Sequence, residues 1–227
     1  NCAIGYESLA QNTVGNNNTS FGYTTLYSNV SGNSNTAIGY NSLFYNTTGS
    51  NNTVVGFQAL LNNTVSNNSA FGYKALNANT TGPFNVAVGY LAMLSNNSGG
   101  YNTAVGYNSL SANTFGNYNS AFGYKALNSN TTGNRNSAFG YSSLRLNTIG
   151  VRNTAFGYAS MLFNTTGSYN VAFGAMALYI NAIGTANTAV GFESLYNNTT
   201  NNNSAFGYRA LKANTIGINN VAVGWGS

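Results

Sequence analysis

Ionisable side chains are almost missing from this sequence. Its 227 residues include no histidine and no aspartate, and the only acidic residues are Glu7 and Glu193. Charged residues make up 4% of the chain, against about 25% in an average soluble domain. A Ser-His-Asp triad, an acid–base pair and a metal cluster all need residue types that are absent or nearly absent here. We therefore predict that the chain is not an enzyme, with no catalytic, cofactor-binding or metal-binding residue and no cofactor.

Three further kinds of site are excluded by the spacing of the carboxylates or by the absence of a required residue or motif. Glycoside hydrolases need two neighbouring carboxylates, whereas Glu7 and Glu193 lie eleven repeats apart, an expected separation of about 50 Å. Calcium-binding β-roll repeats need an aspartate in each turn, and no phosphate loop of the form Gly-x-x-x-x-Gly-Lys occurs. Both glutamates are therefore expected to be solvated surface residues.

Long apolar runs, clustered positive charge and cysteine pairs are also absent. No run of 18 apolar residues occurs, so we predict no membrane insertion. The net charge is +5, but the seven basic residues are scattered, whereas a nucleic-acid-binding protein clusters them on one stripe. The single cysteine, Cys2, excludes an internal disulfide framework.

A seventeen-residue repeat occupies the whole chain. One copy, residues 102–118, reads NTAVGYNSLSANTFGNY. We call its first glycine the anchor glycine and its second the turn glycine. The spacing falls to 16 before Gly72 and before Gly207, where the turn glycine is missing, so this position is predicted to be a loop. Strict periodicity of this kind indicates a solenoid. The anchor glycines are Gly5, Gly22, Gly39, Gly56, Gly72, Gly89, Gly106, Gly123, Gly140, Gly157, Gly174, Gly191, Gly207 and Gly224.

Each copy has two runs that could form strands. The first, as in Thr103-Ala104-Val105, alternates large and small residues and is rich in β-branched and aromatic side chains. The second, from Ala/Ser-Leu to Asn-Thr, has room for another short strand. A helical repeat would need about 34 residues. We therefore predict an all-β fold, a parallel β-solenoid of about fourteen coils with seventeen residues and two short strands per coil.

Two positions of the repeat are asparagine in every copy. Coils stacked about 4.8 Å apart place identical side chains above one another, so the amides can hydrogen-bond as ladders. Asparagine also tolerates the left-handed conformation of turns. We predict two turn ladders, and a stack of the aromatic residues that follow the anchor glycines. Asn column 1 is Asn1, Asn18, Asn35, Asn52, Asn68, Asn85, Asn102, Asn119, Asn136, Asn153, Asn170, Asn187, Asn203 and Asn220. Asn column 2 is Asn12, Asn29, Asn46, Asn63, Asn79, Asn96, Asn113, Asn130, Asn147, Asn164, Asn181, Asn198 and Asn214.

The nine charged residues occupy only three columns of the repeat. Because burying any of them unpaired would be prohibitive, these columns are predicted to face solvent. The columns lie two and five residues after the anchor glycine and five residues before the next one. Their charged members are Glu7, Lys74, Lys125, Arg135, Arg145, Arg152, Glu193, Arg209 and Lys212.

The sequence allows either face of the first run to point into the coil. One face of the first run carries Thr, Val or Phe, and Tyr, and the other carries Ala and Gly. We expect the larger set to fill the interior, which leaves a flat Ala/Gly face for lateral packing between chains. In the opposite assignment, Ala and Gly lie inside a thin coil and the aromatic residues lie at a subunit contact. Either face is too apolar to stay wet over about 60 Å, so we predict a homo-oligomer.

The array is predicted to be a single uncapped unit over residues 1–227. The sequence begins at an Asn position and stops three residues after the last anchor glycine, in the middle of a coil. Soluble solenoids need polar capping repeats, and neither end has one. We therefore expect a segment of a longer fibre, or a filament subunit that docks end to end.

The string Asn-[Ser/Thr]-x-[Val/Ile/Phe]-Gly recurs along the chain, for example at residues 35–39, 102–106 and 187–191. In this string the chain resembles the head repeats of trimeric autotransporter adhesins and related tail-fibre and surface-fibre proteins. The resemblance implies a left-handed parallel β-roll, three chains side by side, and attachment to host matrix or other surfaces. The chain departs from that family in coil length, since the adhesin head coil is shorter than seventeen residues.

Taken together, these features predict a structural or adhesive fibre protein that is extracellular or displayed on a cell or virion surface. It would form a rigid rod by coil stacking and assemble laterally or end to end. The expected partners are further copies, as a trimer or filament, and a host or environmental surface, but not nucleic acid. The alternative is a β-solenoid that binds a periodic surface, such as ice or crystalline polysaccharide, through ranks of threonine. One such rank is interrupted at Val30, Asn97 and Ala182.

Overall fold

The computed structural model describes all residues from 1 to 227. Every repeat contributes one strand of three residues, and no helix forms. Accordingly, nothing helical has the length and apolar character of a membrane span. The strands are β1 (Cys2–Ile4), β2 (Thr19–Phe21), β3 (Thr36–Ile38), β4 (Thr53–Val55), β5 (Ser69–Phe71), β6 (Val86–Val88), β7 (Thr103–Val105), β8 (Ser120–Phe122), β9 (Ser137–Phe139), β10 (Thr154–Phe156), β11 (Val171–Phe173), β12 (Thr188–Val190), β13 (Ser204–Phe206) and β14 (Val221–Val223).

The fold is a parallel β-solenoid, as predicted. The strand order follows the sequence from β1 to β14, and equivalent positions of successive repeats pair. Ala155 pairs with Ala172 and Phe156 with Phe173. Because the pairing is parallel and in register, each position of the repeat lies beside the same position of the neighbouring coil.

The chain divides into two compact units, Asn1–Phe115 and Gly116–Ser227. The first unit holds β1 to β7, and the second holds β8 to β14. Each unit contains one sixteen-residue step. In the first unit Val54 pairs with Ala70, and in the second Ala189 pairs with Ala205, so the shortened copies keep the strand register.

The predicted second strand of each coil is absent. In its place the chain turns, with left-handed residues at alternate positions, for example Ser142 with φ of 54° and Leu144 with φ of 48°. An extended strand cannot accommodate these angles. Hydrogen bonds between coils nevertheless continue, since the Leu144 N–H donates to the Ser160 carbonyl at 3.0 Å. The second run of each coil therefore forms no strand, but its backbone hydrogen bonds to the next coil are kept.

The interior is formed by the smaller residues, so the expectation that the larger face lies inside was wrong. Ala138 and Ala155, the middle residues of their strands, are fully buried. Their neighbours Phe139 and Phe156 lie outside, half-buried and exposed. Leu144 and its equivalents fill the centre from the opposite side. A seventeen-residue perimeter leaves room for these side chains and two Asn columns, but not for a rank of large rings.

Both Asn columns form ladders, as predicted, and these ladders are buried. In column 1, the Asn153 Nδ2 donates to the Asn136 Oδ1 at 3.2 Å and to the Gly167 carbonyl at 2.8 Å. In column 2, the Asn164 Nδ2 donates to the Asn147 Oδ1 at 2.8 Å and to the same carbonyl at 3.0 Å. One turn-glycine carbonyl therefore accepts from both ladders. Buried amides are stable only when fully bonded, and this arrangement satisfies both protons of each Nδ2.

The two shortened coils confirm that the turn glycine lies in a loop. In the first unit the Val65 carbonyl accepts from the Asn52 and Asn63 amides at 3.0 and 2.6 Å. In the second unit the Thr200 carbonyl accepts from two equivalent amides. One residue can be lost at this turn because a neighbouring carbonyl takes the place of the glycine carbonyl.

The anchor glycine is required by both conformation and space. Gly140 has φ of +132°, a region that side chains rarely adopt. A Cβ placed there would lie 2.5 Å from the carbonyl oxygen of Gly157, the anchor glycine of the next coil. The column of anchor glycines therefore lets adjacent coils approach closely where the strand ends.

Candidate interaction surface

An apolar surface runs along the outward side of the sheet in each unit. We call it the strand face, formed by the first and third strand residues and the residue after each anchor glycine. None of the third residues is buried, and Phe21 and Phe156 are 53% and 52% exposed. Large contiguous apolar patches mark binding surfaces in soluble proteins. The strand face is therefore the candidate functional site, and every coil contributes to it.

Aromatic rings stack along the strand face. The rings of Tyr6, Tyr23 and Tyr40 follow one another with centroid separations of 5.1 and 5.3 Å, and they are nearly parallel. The predicted aromatic stack is thus confirmed. A second rank, one residue before the anchor glycines, contains Phe122 and Phe139 with centroids 4.9 Å apart. Stacked rings lose little mobility on binding, which suits them to a contact surface.

The charged columns lie at the surface, as predicted. All nine charged residues are exposed or half-buried. Glu193 differs from the solvated residue expected from the sequence, because its side chain is only 13% exposed and accepts from Arg209 Nε at 2.7 Å and Lys212 Nζ at 2.6 Å. The hydrogen bond from Lys212, aided by Arg209, holds the pKa of Glu193 below its ordinary value, although desolvation opposes the shift.

This ion pair predicts an unusual pH profile of stability. Because the folded pKa of Glu193 lies below its unfolded value, the stabilisation is present above the unfolded pKa of about 4.3 and is lost as the pH falls through the folded pKa. With no histidine or aspartate in the chain, we expect a constant melting temperature from about pH 5 to pH 7. Below about pH 4 we expect the free energy of unfolding to fall by about 1 kcal/mol or less.

Glu193→Gln should reduce the fall of the melting temperature below about pH 4, which we call the acid limb, in thermal melts followed by circular dichroism. Glu7→Gln is the matched control, since Glu7 is exposed and no ion pair joins it to a basic residue. An unchanged acid limb in Glu193→Gln would contradict the assignment of the effect to this ion pair.

The threonine rank after Asn column 2 is engaged by the backbone. The Thr148 Oγ1 donates to the Thr165 carbonyl, and the Thr165 Oγ1 donates to the Ala182 carbonyl, both at 3.0 Å. Their hydroxyl protons are therefore used within the coil stack and are not available to an external lattice. Several Asn-Thr-Thr sequences also match the Asn-x-Ser/Thr motif for N-glycosylation. In three of them the asparagine, Asn46, Asn79 or Asn164, is a ladder residue with no exposed surface.

A smaller feature of the second unit combines arginines with tyrosines. Arg135 and Arg152 occupy the column before Asn column 1 in successive coils. The Arg135 guanidinium lies 5.9 Å from the Tyr118 ring centre, and the Arg152 guanidinium lies 5.3 Å from that of Tyr169. With Val151 and two asparagine side chains they line a cavity of about 400 Å³. The sequence placed both arginines in one column but did not identify this cavity. The available signal was the run of large side chains in this column from Phe84 to Tyr169, in which the two arginines lie between tyrosines.

The carboxylates offer little to a metal. The structure contains no group of three or more His, Cys, Asp or Glu side chains that could hold an ion. Glu7 lies exposed in the first unit, and Glu193 is engaged by two cations in the second.

Comparison with known proteins gives no assignment for this chain. No protein-family model, no curated protein and no solved structure matches it.

Proposed function

We propose that the chain is a structural or adhesive fibre protein, extracellular or displayed on a cell or virion surface, that forms a rigid rod and associates with further copies of itself. The observation that supports this function best is the strand face. Its outward Val, Ile and Phe residues are exposed or half-buried in all fourteen strands. An apolar surface repeated in every coil is suited to contact along a length, and not to one ligand at one point.

Stacked coils support the rod part of the proposal. Within each unit, successive coils are bonded by backbone hydrogen bonds on the strand side and the turn side and by two buried amide ladders. Stability in such arrays grows with the number of repeats, because each repeat contacts only its neighbours. The likeness to adhesin head repeats is consistent with lateral association of chains, and we extend the proposal to a trimer or filament.

Binding to a periodic surface is the alternative function, and it has weaker support. Thr148 and Thr165 each donate their hydroxyl proton to a carbonyl of the next coil. A lattice-binding rank needs free and regular hydroxyl groups, whereas the strand face carries bulky rings. Clear thermal hysteresis at micromolar protein would favour the alternative over the fibre.

A charge on the strand face should dissociate the assembly. In Phe71→Lys an exposed phenylalanine of β5 becomes an ammonium group, which must be desolvated when a second apolar face packs against it. We expect analytical ultracentrifugation to show oligomers for the unmodified chain and at least a tenfold weaker association for the variant, equivalent to about 1.4 kcal/mol.

Asn77→Lys provides the matched control for this experiment. Asn77 lies five residues after an anchor glycine, where Arg145 and Lys212 occur naturally, and the substitution adds the same charge on the turn side of the coil. Its association should equal that of the unmodified chain. A stable, soluble monomer of the unmodified chain would contradict the proposed self-assembly.

A further inference from the structure

We propose that the second unit contains a binding site for an acidic saccharide, a sugar that bears a carboxylate, in the cavity between Tyr118 and Tyr169. The site goes beyond the proposed rod function, because a chain that never assembles would keep it. It is local to four successive coils, whereas the strand face extends along all of them.

The charge at this cavity is uncompensated. Arg135 and Arg152 lie at the same position of adjacent coils, so their backbones are about 4.8 Å apart. The Arg135 guanidinium lies beside Tyr118 of the preceding coil and that of Arg152 beside Tyr169 of the following coil, so two positive charges flank the cavity. The chain holds only two acidic residues. Glu193 is engaged by Arg209 and Lys212, and neither Arg135 nor Arg152 forms an ion pair with a carboxylate. An anion from outside the chain would compensate these two charges.

Guanidinium groups set the class of anion. Each presents N–H donors in a planar fork that matches the two oxygens of a carboxylate. One of the Arg152 donors is used by the Tyr169 hydroxyl at 2.9 Å, which holds the guanidinium beside the ring. The remaining donors of an exposed arginine are accessible to a ligand. Two arginines are too few for a nucleic-acid backbone, which requires a longer basic stripe.

The walls of the cavity indicate that the anion has an organic body. Its volume of about 400 Å³ lies in the range of small-molecule sites. Tyr118 and Tyr169 are 54% and 51% exposed, and Val151 adds an aliphatic surface between them. Aromatic rings beside hydrogen-bonding groups suit a sugar, whose C–H groups can lie against the rings while its acidic group meets the arginines.

The backbone at these four positions gives independent support. Tyr118, Arg135, Arg152 and Tyr169 have φ between 55° and 60°. Asparagine is the favoured non-glycine residue in this conformation, and the same column carries it at several other copies, namely Asn17, Asn51, Asn67, Asn202 and Asn219. Seven consecutive copies, from Phe84 to Ala186, depart from asparagine, and the four that line the cavity are the ones that place two arginines between two tyrosines. Departures of this kind are expected where a sequence serves function at the expense of local stability.

The test is a ligand-observed NMR titration of the full chain with glucuronate at low ionic strength. We expect saturable binding with a dissociation constant on the order of 1 mM. Arg135→Asn and Arg152→Asn should each weaken binding at least tenfold. Both variants should melt no lower than the unmodified chain, since asparagine is the residue that other coils use there. Lys125→Asn is the matched control, because it removes one positive charge from the same unit at a position where Asn41 and Asn108 occur.

Several outcomes would overturn the proposal. One is the absence of saturable binding by glucuronate. Equal binding of glucose would show that the arginines do not recognise an acid, and equal binding of sulfate would show that the sugar body contributes nothing. An equal loss in Lys125→Asn would assign the effect to overall charge. None of these results bears on self-assembly, which is measured separately by ultracentrifugation.

Discussion

Replacing Asn153 with alanine should lower the free energy of unfolding by about 4 kcal/mol, as measured by chemical denaturation. The Asn153 Nδ2 donates to the Asn136 Oδ1 and the Gly167 carbonyl. Its Oδ1 accepts from the backbone N–H and the Nδ2 of Asn170, at 3.0 and 3.2 Å. Alanine leaves the Asn170 N–H and one Asn170 Nδ2 proton without a partner, and the Asn136 Oδ1 and the Gly167 carbonyl each keep one of their donors. Each unsatisfied buried group costs about 1–3 kcal/mol, and a small domain has only about 5–15 kcal/mol in total.

Asn197→Ala is the matched control for the ladder. Asn197 lies in the same unit but one residue before Asn column 2, at a position that carries alanine at Ala78, Ala112 and Ala213. We expect a change below about 0.5 kcal/mol. Equal destabilisation by the two substitutions would contradict the view that the buried ladder, and not asparagine content in general, stabilises the coil stack.

An alanine at Gly140 should be equally damaging. The added methyl group would meet the Gly157 carbonyl oxygen at 2.5 Å, and φ of +132° is strained for any side chain. Neither coil can move away, because strand hydrogen bonds hold β9 to β10 on one side of this contact. We expect the free energy of unfolding, measured by chemical denaturation, to fall by about 4 kcal/mol or more. If the variant fails to fold, its circular dichroism spectrum should lack the β-sheet signal.

Gly226→Ala separates this steric effect from glycine substitution in general. Gly226 has φ of +64°, and a Cβ built there would have no atom within 4 Å. Only the left-handed penalty should remain, about 1–2 kcal/mol. If Gly140→Ala cost no more than Gly226→Ala, close approach of the coils would not be the reason for the anchor glycine.

The sequence predicted the solenoid because its period is visible without any structure. Repeated positions such as Ala155 and Ala172 must lie in register if each coil pairs with the next. The Asn ladders followed from the same register, and so did the aromatic stack. These features depend on the spacing between copies, and spacing is what a sequence records directly.

The inside and the outside of the coil could not be read from the same pattern. Burial statistics place Phe and Ala alike among the residues most often buried, so they do not decide between the two faces, and here Ala138 is buried and Phe139 is outside. The decisive quantity is the cross-section that seventeen residues can enclose, which depends on the angles of the turns. The alternating left-handed residues at Ser142 and Leu144, which replace the expected second strand, likewise leave no trace in residue type.

The candidate sites depended on contacts that link different columns. The strand face was anticipated as one of two assignments, because the apolar column was visible. The cavity at Arg135 and Arg152 was not, because it arises only when tyrosines from the coils below and above are added to the pair. The partial burial of Glu193 could not be predicted from the sequence for the same reason, because Lys212 and Arg209 contact it from the next coil.

The amide ladders also give the stack a direction. In both columns the side-chain oxygen of an asparagine accepts from the asparagine of the following coil, through its Nδ2 as from Asn153 to Asn136 and from Asn164 to Asn147, or through its backbone N–H alone as from Asn85 to Asn68. Within the ladders, one side of a coil presents amide donors and the other presents amide oxygens, whereas backbone N–H groups donate in both directions, as from Leu144 to Ser160 and from Gly140 to Phe122. Head-to-tail docking along the axis would continue the ladders, and a two-fold arrangement would set amide donors against amide donors. Association along the axis is therefore heterologous where the ladders continue, whereas the apolar strand face imposes no such polarity and can pair symmetrically.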